Sequence, residues 1–153
     1  MSVGRICTRY VDLADADETA QVAARRMSER RVGALVILDL ADRPVGILTD
    51  RDLVLRVVAN GRDPRQTPVG EVMTENPTMI SEAAGIEEAL SLMRSGSFRR
   101  LPVIGRDGVL VGLVSLDDIL SLLAGEFTQV GALVENEMRC FTETTRPHAR
   151  LAF

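Results

Sequence analysis

Gly46-Ile47-Leu48-Thr49-Asp50-Arg51-Asp52 is answered 66 positions later by Gly112-Leu113-Val114-Ser115-Leu116-Asp117-Asp118. Each stretch reads as the end of an apolar strand, a hydroxyl residue opening a helix, and an aspartate three places on. The same offset pairs Ala23 with Ala89, Met27 with Met93, Leu35 with Leu101 and Val45 with Val111, and no gap is needed. Similar residues fill the intervals: Ala20 with Ile86, Val36-Ile37-Leu38 with Pro102-Val103-Ile104, Leu53 with Ile119. Self-similarity at one fixed period marks two copies of a single supersecondary unit.

Each copy starts with a helix whose apolar positions recur every three or four residues. These are Ala20, Ala23, Ala24 and Met27 in the first copy, and Ile86, Ala89, Leu90 and Met93 in the second. Asp15 and Ser81 are the expected N-caps. A strand follows (34–38 or 101–104), then a turn at Asp42-Arg43-Pro44 or Asp107-Gly108, then a second strand (45–48 or 110–114). A second helix begins at Thr49 or Ser115, and short extended segments near 11–13 and 78–80 precede the units. The strands are nearly continuous apolar runs, so helices and the other copy must cover both faces of each sheet. The expected division is repeat 1 over 7–60, a polar connector over 61–71, repeat 2 over 72–124 and a tail over 125–153. Phe127, Val130, Val134 and Met138 keep helical spacing, so the tail is expected to be helical to about 139 and irregular beyond, with Gly131 weakening it.

Composition narrows the function. The chain has 153 residues, 46% of them hydrophobic and 26% charged, enough for a packed core without a disulfide or metal staple. All 18 basic residues are arginine, which removes Schiff-base chemistry and a phosphate-loop lysine. A net charge of −4, no tryptophan and a single tyrosine, Tyr10, argue against nucleic acid as a partner. The two cysteines, Cys7 and Cys140, lie near opposite ends and make no metal site; whether they pair is left open. His148 sits in a polar tail and reads as solvated. No run reaches the roughly 20 apolar residues of a membrane span, and no secretory leader is evident, so a cytoplasmic location is expected.

With both motifs in register, the sequence resembles the CBS-domain family over about residues 7–124. Arg100-Leu101-Pro102-Val103-Ile104 and Val72-Met73-Thr74 add to the likeness. The resemblance implies an α/β (α+β) fold in which two repeats form a pseudo-twofold sandwich with two clefts for AMP, ADP, ATP or S-adenosylmethionine. If that geometry holds, one cleft combines Thr49 and Asp52 with Ala89, Phe98 and Arg99. The other combines Ser115 and Asp118 with Ala23, Val32 and Gly33. The chemistry suits these residues: an aspartate can accept from both ribose hydroxyls, the helix N-terminus favours an anion, and guanidinium forms a fixed fork for phosphate. Arg99 and Arg100 stand where the resemblance implies cationic residues that reach phosphates, and the first cleft should prefer phosphates more strongly. A second reading stands beside this one. Thr49-x-x-Asp52 and Ser115-x-x-Asp118 also have the form of helix caps, which stabilise without a ligand, and both roles can hold together.

The family resemblance implies a non-catalytic regulatory module, an energy sensor requiring no cofactor. It would form a homodimer through the apolar faces at Val54, Leu55, Val57, Val58 and 120–123, and act on a protein partner in trans. The alternative is a ligand-free interaction or dimerisation module.

Overall fold

The computed structural model describes residues 1–144 and contains two three-stranded sheets. In the first, β1 (Ala34–Leu38) and β2 (Pro44–Thr49) form an antiparallel hairpin, and β3 (Thr74–Glu75) joins the free edge of β2. In the second, β5 (Arg100–Ile104) and β6 (Leu110–Ser115) form the equivalent hairpin, and β4 (Ile80–Ser81) lies parallel to β5. The hairpins share even their irregularity, a register shift between Ile37 and Leu38 and its counterpart between Val103 and Ile104. The strands of the first hairpin and β5 are mostly buried, as their continuous apolar runs require, whereas β6 is mostly half-buried.

Helices α1 (Ala20–Arg30) and α3 (Ile86–Gly96) bury Ala20, Ala23 and Met27, and Ala89 and Met93, respectively. Both end alike: Arg31 and Ser97 take left-handed backbone (φ 56° and 54°), and the next N–H, of Val32 or Phe98, donates back to Met27 or Met93. This reversal turns each chain directly into its first strand. The helix starts differ from the sequence expectation. Thr19, not Asp15, caps α1, its Oγ1 accepting from the Val22 N–H; α3 follows Gly85 with no side-chain cap, because Ser81 is paired in β4. Residues 15–18 instead form a turn, and Glu18 is held there by a bidentate pair to Arg26 at 2.6 and 2.8 Å.

The second helices diverge. In the first copy α2 (Asp50–Asp52) passes into π-helical Leu53–Val58. In the second, α4 (Leu116–Thr144) continues for 29 residues, so the expected tail helix is its extension and runs past 139. Gly125 and Gly131 lie in open space and do not interrupt it. His148 lies outside the described residues.

The repeats of the sequence are not the packing units. Val69, within the expected connector, and Val72, just after it, complete the core of the first sheet with Leu35, Ile37, Leu48 and Val57. Val3 and Cys7, from the start of the chain, complete the core of the second with Leu101, Val103, Val114 and Ile119. Each half therefore closes with a lead-in segment taken from before the other. The segments cross the sheets at Gly46 and Gly112, where a β-carbon would strike the Met73 side chain or meet Cys7 Sγ at 2.7 Å and the Thr8 carbonyl oxygen at 2.9 Å. Met73 can swing aside, whereas the Thr8 carbonyl is backbone, hydrogen-bonded to the Leu113 N–H. Gly112→Ala is expected to lower the free energy of urea unfolding by about 1–3 kcal/mol, and Gly46→Ala by distinctly less; equal losses would contradict this packing.

Candidate functional site

Both Thr/Ser-x-x-Asp motifs form complete capping boxes. The Thr49 N–H and hydroxyl donate to Asp52 Oδ2 at 2.8 and 2.6 Å, and the Asp52 N–H donates to Thr49 Oγ1 at 3.2 Å. The second copy repeats this with Ser115 and Asp118 at 2.7, 2.7 and 3.2 Å. The next N–H in each copy donates to the residue before the first strand: Asp50 to the Gly33 carbonyl and Leu116 to the Arg99 carbonyl. Arg51 N–H is taken by Asp50 Oδ1. The N–H groups of residues 49–52 are thus engaged, which corrects the expectation that this helix start binds an anion. Charge for a phosphate has to come from side chains.

Asp52 has one oxygen outside the cap, and Oδ1 lies 3.3 Å from Arg56 Nη2. Arg56 also donates to the Val72 and Met73 carbonyls and to Thr74 Oγ1. It ties the aspartate to the exchanged segment. Sequence reading missed this residue, although an Asp and Arg four apart on a helix is a readable signal. The second copy has Leu122 at the matching position, so Asp118 lacks this partner.

Thr49 and Asp52 line a cleft of about 630 Å³ together with Phe98, Arg99 and Arg100 of the other copy. Ser115 and Asp118 line a smaller one of about 170 Å³ with Val32, Gly33 and, unexpectedly, Arg100. The lead-in residues of the two obey the repeat offset: Thr74, Asn76, Pro77 and Thr78 in the large cleft stand where Thr8, Tyr10, Val11 and Asp12 stand in the small one. These lead-in residues were absent from the expected site. Their signal was the same 66-residue offset, extended upstream of the strands. Ala23 and Ala89 line neither cleft; both are fully buried in the two cores, because the helix face carrying them packs on the sheet.

The clefts differ in charge. Arg51, Arg99 and Arg100 outnumber Asp50 and Asp52 in the large cleft, whereas Asp12 and Asp118 outnumber Arg100 in the small one. Arg99 is exposed and pairs with Asp117 at 3.6 Å, an intrachain pair worth little in water. Apolar lining comes from Ile47, Pro77 and Phe98. Phe98 folds back over Gly96, where any β-carbon would collide with its ring. Cys7 is no nucleophile of this site: burial pushes its thiol pKa up, only partly offset by Arg9. Among the described residues no group of three or more His, Cys, Asp or Glu is placed to hold a metal, and no helix is long and apolar enough to cross a membrane.

The family model for the CBS domain matches residues 3–59 and again residues 69–125. The chain belongs to the CBS-domain family. An uncharacterised Methanopyrus kandleri protein is 35% identical over 143 residues, 94% of this chain and 71% of that protein. Among solved structures, Hypoxic Response Protein I with two coordinated zinc ions superposes with a TM-score of 0.71 at 36% identity, covering 79% of this chain and 98% of that one. A CBS domain protein of Pyrobaculum aerophilum complexed with AMP does so with a TM-score of 0.71 at 25% identity, covering 77% and 89%. The mixed α/β sandwich is therefore that of a CBS pair, and the capping boxes belong to its two clefts. Because each box satisfies a strand–helix junction, Thr49→Ala and Ser115→Ala should each reduce unfolding free energy by about 0.5–2 kcal/mol in the absence of any ligand; unchanged urea midpoints would remove the cap from the account.

Proposed function

We propose that this CBS pair is a non-catalytic regulatory module that binds a phosphorylated adenosine in the Thr49/Asp52 cleft and signals its occupancy to a protein partner in trans. The carrying observation is the charge of that cleft. In a chain of net charge −4, three guanidiniums gather around one opening. A volume of about 630 Å³ lies inside the usual range of roughly 300–1,000 Å³ for small-molecule sites. Asp52 Oδ1, oriented by Arg56, is the acceptor for ribose hydroxyls; Ile47, Pro77 and Phe98 offer the base an apolar slot; Arg51, Arg99 and Arg100 meet the phosphates. This arrangement favours AMP, ADP or ATP over the cationic S-adenosylmethionine. The AMP bound by the Pyrobaculum aerophilum relative supports the ligand class.

A second reading, a ligand-free interaction or dimerisation module, draws on other observations. The caps engage Thr49 and Asp52 without a ligand, and Val54, Leu55, Val58, Leu120 and Leu123 are all exposed. Val57, expected on the same face, is 2% exposed and belongs to the core. A homodimer covering this face is compatible with either reading. The test is calorimetric titration with AMP, adenosine and S-adenosylmethionine. AMP should bind more tightly than adenosine, and Asp52→Ala should abolish binding in the large cleft. Arg51→Ala with Arg99→Ala should weaken AMP by about tenfold or more while sparing adenosine, since a charge-assisted contact contributes about 1.5–3 kcal/mol. Absence of binding by all three ligands would leave the interaction module as the function.

A further inference from the structure

The two clefts meet at one side chain. Arg100 opens β5 in the second repeat, yet its guanidinium reaches the first repeat and lies over Gly33. A β-carbon there would come within 2.9 Å of Arg100 Nη2 and 3.2 Å of Asp50 Oδ2. Arg100 is half-buried, lines both clefts and has no carboxylate within ion-pair distance among the described residues. Its counterpart by the repeat offset is Ala34, buried in β1, so nothing mirrors it on the other side. This single guanidinium breaks the symmetry of the pair.

Its position bears on the difference in size. The small cleft, at about 170 Å³, is well below the roughly 300 Å³ at which small-molecule sites begin, and Arg100 over Gly33 is one of its walls. We infer that the Ser115/Asp118 cleft, the second adenosine cleft that the family resemblance implies, is gated by Arg100 and opens when a phosphate in the large cleft draws that side chain away from Gly33. The inference rests on the nucleotide reading of the large cleft. An arginine without an ion-pair partner gains a bidentate one when a phosphate arrives, so the two positions of the side chain are unequally favoured by that ligand, as coupling between sites requires. Adenosine in the large cleft has no phosphate and leaves Arg100 in place.

The same movement sets what the small cleft accepts. Once Arg100 has left, Asp12 and Asp118 are the charges remaining in its lining, Asp12 with exposed Arg30 at 3.8 Å, and Tyr10, 95% exposed, stands at its rim. Two carboxylates repel a phosphate; an aspartate accepts ribose hydroxyls and a tyrosine face stacks on a base. The ligand class is an uncharged nucleoside, with adenosine as the probe. The structure also supplies the reporter, since Tyr10 is the only tyrosine and there is no tryptophan.

The experiment removes the large cleft with Asp52→Ala and then compares adenosine binding with and without Arg100→Ala, by calorimetry and by Tyr10 fluorescence. The double variant should bind adenosine about fivefold or more tightly than Asp52→Ala alone, within the usual range of coupling between sites, with the Tyr10 signal following the same isotherm. A gain of affinity cannot arise from unfolding. Equal or weaker binding in the double variant, or a gain to which Tyr10 is silent, overturns the inference. Wild-type titration with AMP separates the two claims. AMP binding that depends on Asp52, with no gain in the double variant, removes the gate alone; no AMP binding removes the nucleotide reading and the gate together.

Discussion

The close passage of a lead-in segment beside the second strand of each hairpin, at Gly46 and Gly112, is the constraint on which the rest of the molecule depends. A side chain at Gly112 would meet the Thr8 backbone and lift the segment that brings Val3 and Cys7 to one core, while a side chain at Gly46 would displace the Met73 side chain of the segment that brings Val69 and Val72 to the other. The same passage delivers Thr74, Asn76, Pro77 and Thr78 to one cleft and Thr8, Tyr10, Val11 and Asp12 to the other. Packing and site are therefore set by one contact. Each cleft has walls from both halves because each half is closed by a piece of chain that precedes the other.

Much of this was legible in the residues. Strands and helix faces followed from apolar periodicity, and the Thr/Ser-x-x-Asp spacing located both caps, because these are local properties carried within a few residues of chain. What escaped was non-local. The exchange of lead-in segments leaves no trace in the pattern of Val69 or Val3, which are apolar wherever they pack. Ala23 and Ala89 fall on a helix face whose register can be read, but whether that face meets a cleft or a sheet is decided by tertiary packing. Arg56 was visible as an Asp-to-Arg pair at helical spacing, yet its bonds to the Val72 and Met73 carbonyls join parts of the chain that sequence spacing does not relate.

Duplication gave the two clefts a common frame, and substitution at corresponding positions made them chemically different. Where the large cleft has Arg99, the small one has Gly33; where it has Thr78 and Asn76, the small one has Asp12 and Tyr10. The frame itself is held by equivalent hydrogen bonds in both copies, from Asp50 to Gly33 and from Leu116 to Arg99. The residue before each first strand therefore serves through its backbone in the fold and through its side chain, or the lack of one, in the cleft. That separation lets ligand preference change without altering the architecture.

The unbroken course of α4 has a mechanical consequence. Its first turn carries the Ser115/Asp118 cap at the small cleft, and its 29 residues extend, at about 1.5 Å each, over roughly 43 Å. A rod of that length is a lever with its fulcrum beside a cleft wall: a tilt of about 5° at the base sweeps the far end through roughly 4 Å, a displacement on the scale of an interface rather than of a side chain.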